Sequence, residues 1–108
     1  MRFEIILAPE AVVDLQMFKA RVRSAIRAAI EKHLRHEPTK TSKSRIKRLR
    51  GMSRPQYRLR VEDDIRVFYD VTDDTVEVLA IVAKSKADTW LKKHGESDEG
   101  DSSVEREG

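Results

Sequence analysis

An α+β fold follows from three features of this 108-residue sequence. A short apolar run, "RFEIILA", opens the chain with residues that favour strands. A stripe of apolar residues at helical spacing then runs from Val12 to Ile30. Finally, "QYRLRVEDDIRVFYDV" (56–71) and the following "TVEVLAIVA" alternate with the period of two that marks strands. Helical and strand patterns fall in separate runs rather than in strict alternation, which is the α+β order.

The first strand is expected at about 2–7. Pro9 and Glu10 open a helix, because proline tolerates the first turn and a carboxylate there complements the helix dipole. Val12, Leu15, Phe18, Val22, Ile26, Ala29 and Ile30 recur at spacings near three and four and form one apolar face. Arg23, Arg27, Glu31 and Arg35 form an outer row with opposite charges four apart at 27/31 and 31/35. Pro38 closes the region. A break near 19–23 would turn this long span into a helical hairpin, although no glycine or proline marks it. Residues 40–60 hold nine bases and no acid. Ile46 and Leu49 are spaced for a short helical turn or a strand edge, and Gly51 and Pro55 punctuate a loop. Strands at 57–61, 65–71 and 76–83 are joined by "EDD" and "TDDT", turns short enough to make them antiparallel. In "SKADTWLKKHG", Ser85 is placed to cap a last short helix and Gly95 to end it.

The bulk numbers narrow the function. With 108 residues, one domain is expected. The absence of cysteine excludes disulfides and thiolate metal sites and fits a reducing compartment. No apolar run approaches the roughly 20 residues of a membrane span, and the N-terminus lacks a signal-peptide pattern. The expectation is a cytoplasmic soluble protein with no membrane contact. The net charge of +3 is unevenly spread. Residues 95–108 carry six acids and one base, which leaves 21 Lys and Arg against 13 Asp and Glu in residues 1–94. A basic domain (1–94) followed by an acidic, disordered tail (95–108) is therefore expected, with a polyanion such as nucleic acid as partner. His33 and His36 lie three apart, a spacing that can bind metal, but no third ligand is near, and no metal or cofactor is expected.

The register of the hairpin decides where its arginines point, because a slip of one residue flips every side chain. Pairing Val61 with Ile65 sets Leu59 against Val67 and Tyr57 against Tyr69, and all six then share a core face. This register buries the most apolar area. It also sets Arg60 against Arg66, with Arg58 two residues along. Phe68, Leu79 and Ile81 are expected on this same arginine face, under Trp90 and Leu91 of the last helix. Like charges directly opposite on a sheet are unfavourable, so the trio is read either as a site for a multiply charged anion or as arginine stems covering apolar sheet surface.

"RLRGM", "YRLRV", "IRVFYDV" and "VEVLAIVAKSK", in this order and spacing, resemble the RelE/ParE superfamily of bacterial toxins from toxin–antitoxin pairs, over about residues 2–94. The resemblance implies an N-terminal strand and a two-helix hairpin packed on an antiparallel sheet of about four strands, with a short C-terminal helix. The basic strand trio and basic segment favour the RelE branch, for which the resemblance implies ribosome-dependent, metal-independent cleavage of messenger RNA; the alternative is inhibition of DNA gyrase, as in the ParE branch. A catalytically inactive antitoxin-binding regulator is a third reading. The implied partners are a cognate antitoxin, the ribosome and mRNA, with operator DNA reached only through the antitoxin. The RelE pattern puts basic residues at Arg58 and Arg60, a phosphate-binding arginine at Arg66, and a further cation after the last strand, where Lys84 and Lys86 flank Ser85. Trp90 stands nearest to the family's usual tyrosine; an indole stacks on a base but does not exchange a proton usefully near neutral pH. Cations aimed at the phosphate stabilise charge that grows in the transition state, and Lys84 or Lys86 is the expected proton carrier. Lys43, Arg45, Lys47, Arg48, Arg50 and Arg54 of the basic segment are the expected RNA contacts.

Overall fold

The computed structural model describes residues 1–98. Strand β1 (Glu4–Leu7) leads into helices α1 (Pro9–Gln16) and α2 (Ala20–Leu34). Strands β2 (Ile46–Arg48), β3 (Met52–Arg54), β4 (Tyr57–Val61), β5 (Ile65–Thr72) and β6 (Thr75–Ala83) follow, and α3 (Lys84–His94) and β7 (Glu96–Ser97) complete the described chain. One sheet has the order β1-β6-β5-β4-β2, and β3 pairs with β7 in a separate ribbon. The sheet therefore has five strands rather than about four. Its fifth member, β2, comes from the segment expected as a loop. Strand β1 is parallel to β6, whereas the other pairs are antiparallel. No short turn ties β1 to a neighbour, so its direction is free of the hairpin constraint.

Helices α1 and α2 cover one face of the sheet. Ala11 and Leu15 of α1, and Ile26, Ile30 and Leu34 of α2, are buried at spacings of four. They pack against Leu59, Val61, Val67, Tyr69, Val76, Val78 and Ile81. Burying each large aliphatic side chain contributes about 1.5–3 kcal/mol. The break between the helices lies at 17–19, just ahead of the expected 19–23. Lys19 is extended (φ −65°, ψ 157°), Phe18 packs into the core, and Arg23 donates to the Phe18 carbonyl at 2.6 Å. The hairpin turns at a partly buried Phe18 packed against the core, with no glycine or proline at the break.

Tyr69 is fully buried at the end of the core, stacked on Tyr57 with centroids 5.5 Å apart. Its hydroxyl donates to the Pro38 carbonyl at 2.6 Å and so ties the 35–45 segment to the sheet. Burial, aided by Tyr57, pushes the phenol pKa well up, so it remains a donor. Tyr69→Phe keeps the ring but leaves that carbonyl without its donor. The expected cost is about 1–3 kcal/mol, read as a lower urea midpoint at unchanged m-value.

Strand β6 runs into α3 without a loop. Ala83 takes the N-cap position with no side-chain cap bond, and the Lys84 amide donates to the Asp64 carbonyl at 2.7 Å. Ser85 is therefore inside the helix, not its cap. Gly95 does end α3, and at φ −75° it is not left-handed. A Cβ at this position would lie 2.5 Å from Met52 Cε and 2.7 Å from the Leu91 carbonyl oxygen, so close approach is what requires glycine. Just beyond, Glu96 and Ser97 pair with β3, and Ser53 Oγ donates to the Glu96 carbonyl. The first residues of the expected tail thus belong to a strand; its remainder, 99–108, lies outside the described residues. Among the described residues no helix is long and apolar enough to cross a membrane.

Candidate functional site

The hairpin has the expected register: Tyr57 faces Tyr69, Leu59 faces Val67, Val61 faces Ile65, and Arg60 faces Arg66. Arg58 faces Phe68, and β2 extends this row by placing Lys47 opposite Arg58. Alternation puts these residues on the sheet face away from α1 and α2. Phe68 belongs there, but Ile81 does not. Ile81 is opposite Val67 and lies in the core beneath the helices. The pairing shifts between Phe68 and Tyr69, so Leu79 falls in a bulge and joins neither row.

Helix α3 lies over this second face. Its anchor is Trp90, stacked on Phe68 at 5.1 Å and 9°. One stripe of α3, Lys84, Ala87, Asp88 and Leu91, faces a cavity of about 260 Å³ whose other walls are Leu49, Arg58, Arg66 and Phe68. Such i, i+3, i+4, i+7 spacing is one face of a helix.

The three arginines converge but are not equivalent. Arg66 is only 7% exposed, and its guanidinium donates to the carbonyls of Asp63 and Ile65 at 3.1 and 3.0 Å. Burial lowers its pKa and Arg60 adds to this, while Asp63 and Asp64 oppose it. Arg58 is half-buried; burial, then Arg66 and Arg60, lower its pKa. Its Nε is buried without a hydrogen-bond partner among the described residues. Arg60 is ion-paired with Asp63 and donates to the Glu62 carbonyl at 3.1 Å. Repulsion among the three thus falls on Arg58 and Arg66, which share the cavity, whereas Arg60 is held at the turn. An anion brought to that cavity would relieve the repulsion and supply the missing acceptor.

No protein-family model matches the chain, and no curated protein sequence does either. Solved structures do. A chain of the RelB–RelE antitoxin–toxin complex from Methanococcus jannaschii has a TM-score of 0.59 at 21% identity, over 80% of this chain and 98% of that one. The archaeal RelE–RelB complex from Pyrococcus horikoshii gives 0.59 at 23%, over 80% and 99%. The E. coli DinJ–YafQ toxin–antitoxin complex gives 0.62 at 14%, over 79% and 96%. This chain has the RelE toxin fold. At these identities the likeness is one of fold, and function has to be argued from the site.

On this RelE fold the expected site residues divide. Lys84, the first residue of α3, lines the arginine cavity; Lys86 is exposed and lies outside its walls. Lys43, Lys47 and Arg50 are exposed and make no ion pair among the described residues. The other bases of the segment hold the fold together. Arg45 donates to the Arg60 carbonyl, and Arg48 donates to the Leu49 and Gln56 carbonyls while lying 5.4 Å over the Tyr57 ring. Arg54 is paired with Asp70 at 2.9 Å and approaches Glu77 at 3.6 Å. Trp90 is the anchor of α3 rather than a platform beside the arginines. One ring face meets Phe68, His94 lies 5.3 Å away, and the indole lines a different cavity of about 410 Å³ with Arg54 and Leu79. Asp88 is a wall of the arginine cavity that the sequence expectations do not include. Its spacing of four from Lys84 was the available signal. Among the described residues no three His, Asp or Glu side chains cluster as metal ligands.

Asp70 anchors the approach to this face. It is 8% exposed and accepts from the Gln56 amide at 2.7 Å and from Arg54. Burial raises its pKa, outweighing the lowering by the Gln56 amide and Arg54. A carboxyl whose pKa is raised on folding binds more protons in the native state than in the unfolded one. Its contribution to stability is therefore greatest in acid and is lost as pH rises from about 4. The urea midpoint of Asp70→Asn, relative to wild type, is expected to climb over that range. A flat difference would show that the Arg54 pair fully offsets burial.

Proposed function

We propose that this protein is the toxin of a toxin–antitoxin pair and acts in the cytoplasm as a ribosome-dependent, metal-independent messenger RNA endonuclease. The observation that carries the reading is the shared cavity of Arg58, Arg66 and Lys84, in which, among the described residues, Arg58 makes no ion pair and its buried Nε has no acceptor. The fold likeness to toxins in antitoxin complexes supports it.

Cleavage by the 2′-hydroxyl forms a bond from O2′ to phosphorus and breaks the bond from phosphorus to O5′. The products are a 2′,3′-cyclic phosphate and a free 5′-hydroxyl. Negative charge grows on the non-bridging oxygens, and guanidinium groups already fixed in place stabilise it more in the transition state than in the ground state. The paired donors of arginine match two phosphate oxygens. The ribosome would supply in-line positioning, which is worth several kcal/mol. Lys43, Lys47 and Arg50, exposed along the β2 side, are suited to hold ribosomal or messenger phosphate. A cognate antitoxin would silence the toxin and provide its link to operator DNA.

Sequencing of messenger 5′ ends after brief expression tests this. New 5′-hydroxyl ends within codons, and cleavage in vitro only when ribosomes are present, are expected. DNA-damage signalling without RNA cuts would replace this reading with gyrase poisoning. Neither response, with antitoxin binding intact, would leave a regulator without catalysis.

A further inference from the structure

We propose that Asp88 accepts the 2′-hydroxyl proton and that Lys84, one helical turn earlier, gives a proton to the departing O5′. This inference rests on the nuclease reading and adds to it the two ends of the proton path.

The cavity walls limit which groups can take a proton. Guanidinium and ammonium groups are donors with no acceptor capacity, so Arg58, Arg66 and Lys84 cannot take a proton while charged. Leu49, Phe68, Ala87 and Leu91 have no polar side-chain atom. Among the described residues, Asp88 is the one wall residue of this cavity whose side chain accepts. It is exposed, at the rim rather than the floor, and makes no ion pair among the described residues although Lys84 stands four positions away. Both lone-pair-bearing oxygens therefore remain available to a substrate hydroxyl.

The placement also suits an in-line reaction. Residues four apart on a helix have Cβ atoms about 5–6 Å apart. A phosphate held by Arg58 and Arg66 beneath α3 would meet a donor at the start of the stripe, Lys84, and an acceptor one helical turn along it, Asp88. The helix is fixed over the cavity by the Phe68–Trp90 stack and by the close seat of Gly95 on Met52. The step balances. O2′–H loses its proton to Asp88, O2′ bonds to phosphorus, the phosphorus–O5′ bond breaks, and O5′ takes a proton from Lys84. Solvent then returns a proton to Lys84 and removes one from Asp88.

The test is single-turnover cleavage of mRNA on programmed ribosomes across pH. Wild type should slow as pH falls, because the acceptor must be unprotonated. Asp88→Asn should be at least about 10²-fold slower and lose that acid limb, with ribosome affinity unchanged. Asp88→Glu should recover much of the rate. Lys84→Ala should be slow on ordinary RNA yet rescued on RNA with a bridging 5′-sulfur, whose thiolate leaves without a proton; Asp88→Asn should not be rescued. An Asp88→Asn protein that cuts within a few-fold of wild type, or that slows with the acid limb intact, overturns the assignment of Asp88. Failure of the sulfur substrate to rescue Lys84→Ala overturns that of Lys84. If wild type does not cut at all, it is the nuclease reading that falls, a result distinct from all of these.

Discussion

Arg66→Ala is expected to lower messenger RNA cleavage by about 10²–10³-fold, the usual loss when one pre-positioned donor to a developing anion is removed. Arg66 sits opposite Arg60 on β5, almost fully buried, with its guanidinium set by the carbonyls of Asp63 and Ile65. Those two bonds fix the side chain before any substrate arrives, so little reorganisation is needed at the moment of reaction. They also mean that removal touches the β4–β5 turn, at a cost of about 1 kcal/mol. Arg66→Lys separates the two effects. It keeps the charge but loses the planar fork, so intermediate activity on an intact fold is expected. The readout is the yield of internal 5′ ends at equal protein level, with circular dichroism as the check on folding. Unchanged cleavage in Arg66→Ala would remove this residue from the phosphate site.

Phe68→Ala should give the largest loss of stability at the site, about 3–5 kcal/mol. The ring is fully buried between the arginine row of the sheet and α3, and it forms both the floor of the cavity and the seat of Trp90. Its removal leaves a void beneath the helix and takes away the stacked contact, itself worth about 0.5–1.5 kcal/mol. Trp90 is the only tryptophan in the chain, so indole fluorescence reports the surroundings of this one residue. A red-shifted emission in the absence of denaturant, together with a lower urea midpoint, is expected. Native-like emission with an unchanged midpoint would show that α3 is held by the β3–β7 ribbon rather than by its aromatic anchor. Cleavage should fall as well, since Lys84 and Asp88 are carried on the same helix.

The frame of the candidate site is legible in the sequence. Period-two alternation and a three-residue turn specify the Val61–Ile65 register, because any other pairing exposes apolar surface on the core side. That register alone brings Arg58, Arg60 and Arg66 onto one face. The basic segment was less legible. Its bases look alike in sequence and all five of Lys43, Lys47, Arg48, Arg50 and Arg54 are exposed, yet Arg48 and Arg54 are bonded to other parts of the fold while Lys43, Lys47 and Arg50 make no ion pair among the described residues. Trp90 was visible as an aromatic near the end of the chain, but its stacking partner lies 22 positions away on β5.

Taken alone, then, the order of residues determined what depends on local period and charge. This includes the α+β plan, the core stripe of α2, the hairpin register and the concentration of arginines on one sheet face. Tertiary structure decided which of those cations stay available. Asp70 reaches Arg54 across 16 residues, Phe68 seats Trp90, a bulge at Leu79 leaves Ile81 with the core, and α3 brings Asp88 to the cavity rim. The physical reason is that alternation and turn length are satisfied between near neighbours. Pairing of charges and stacking of rings are satisfied between segments that meet only once the chain has folded.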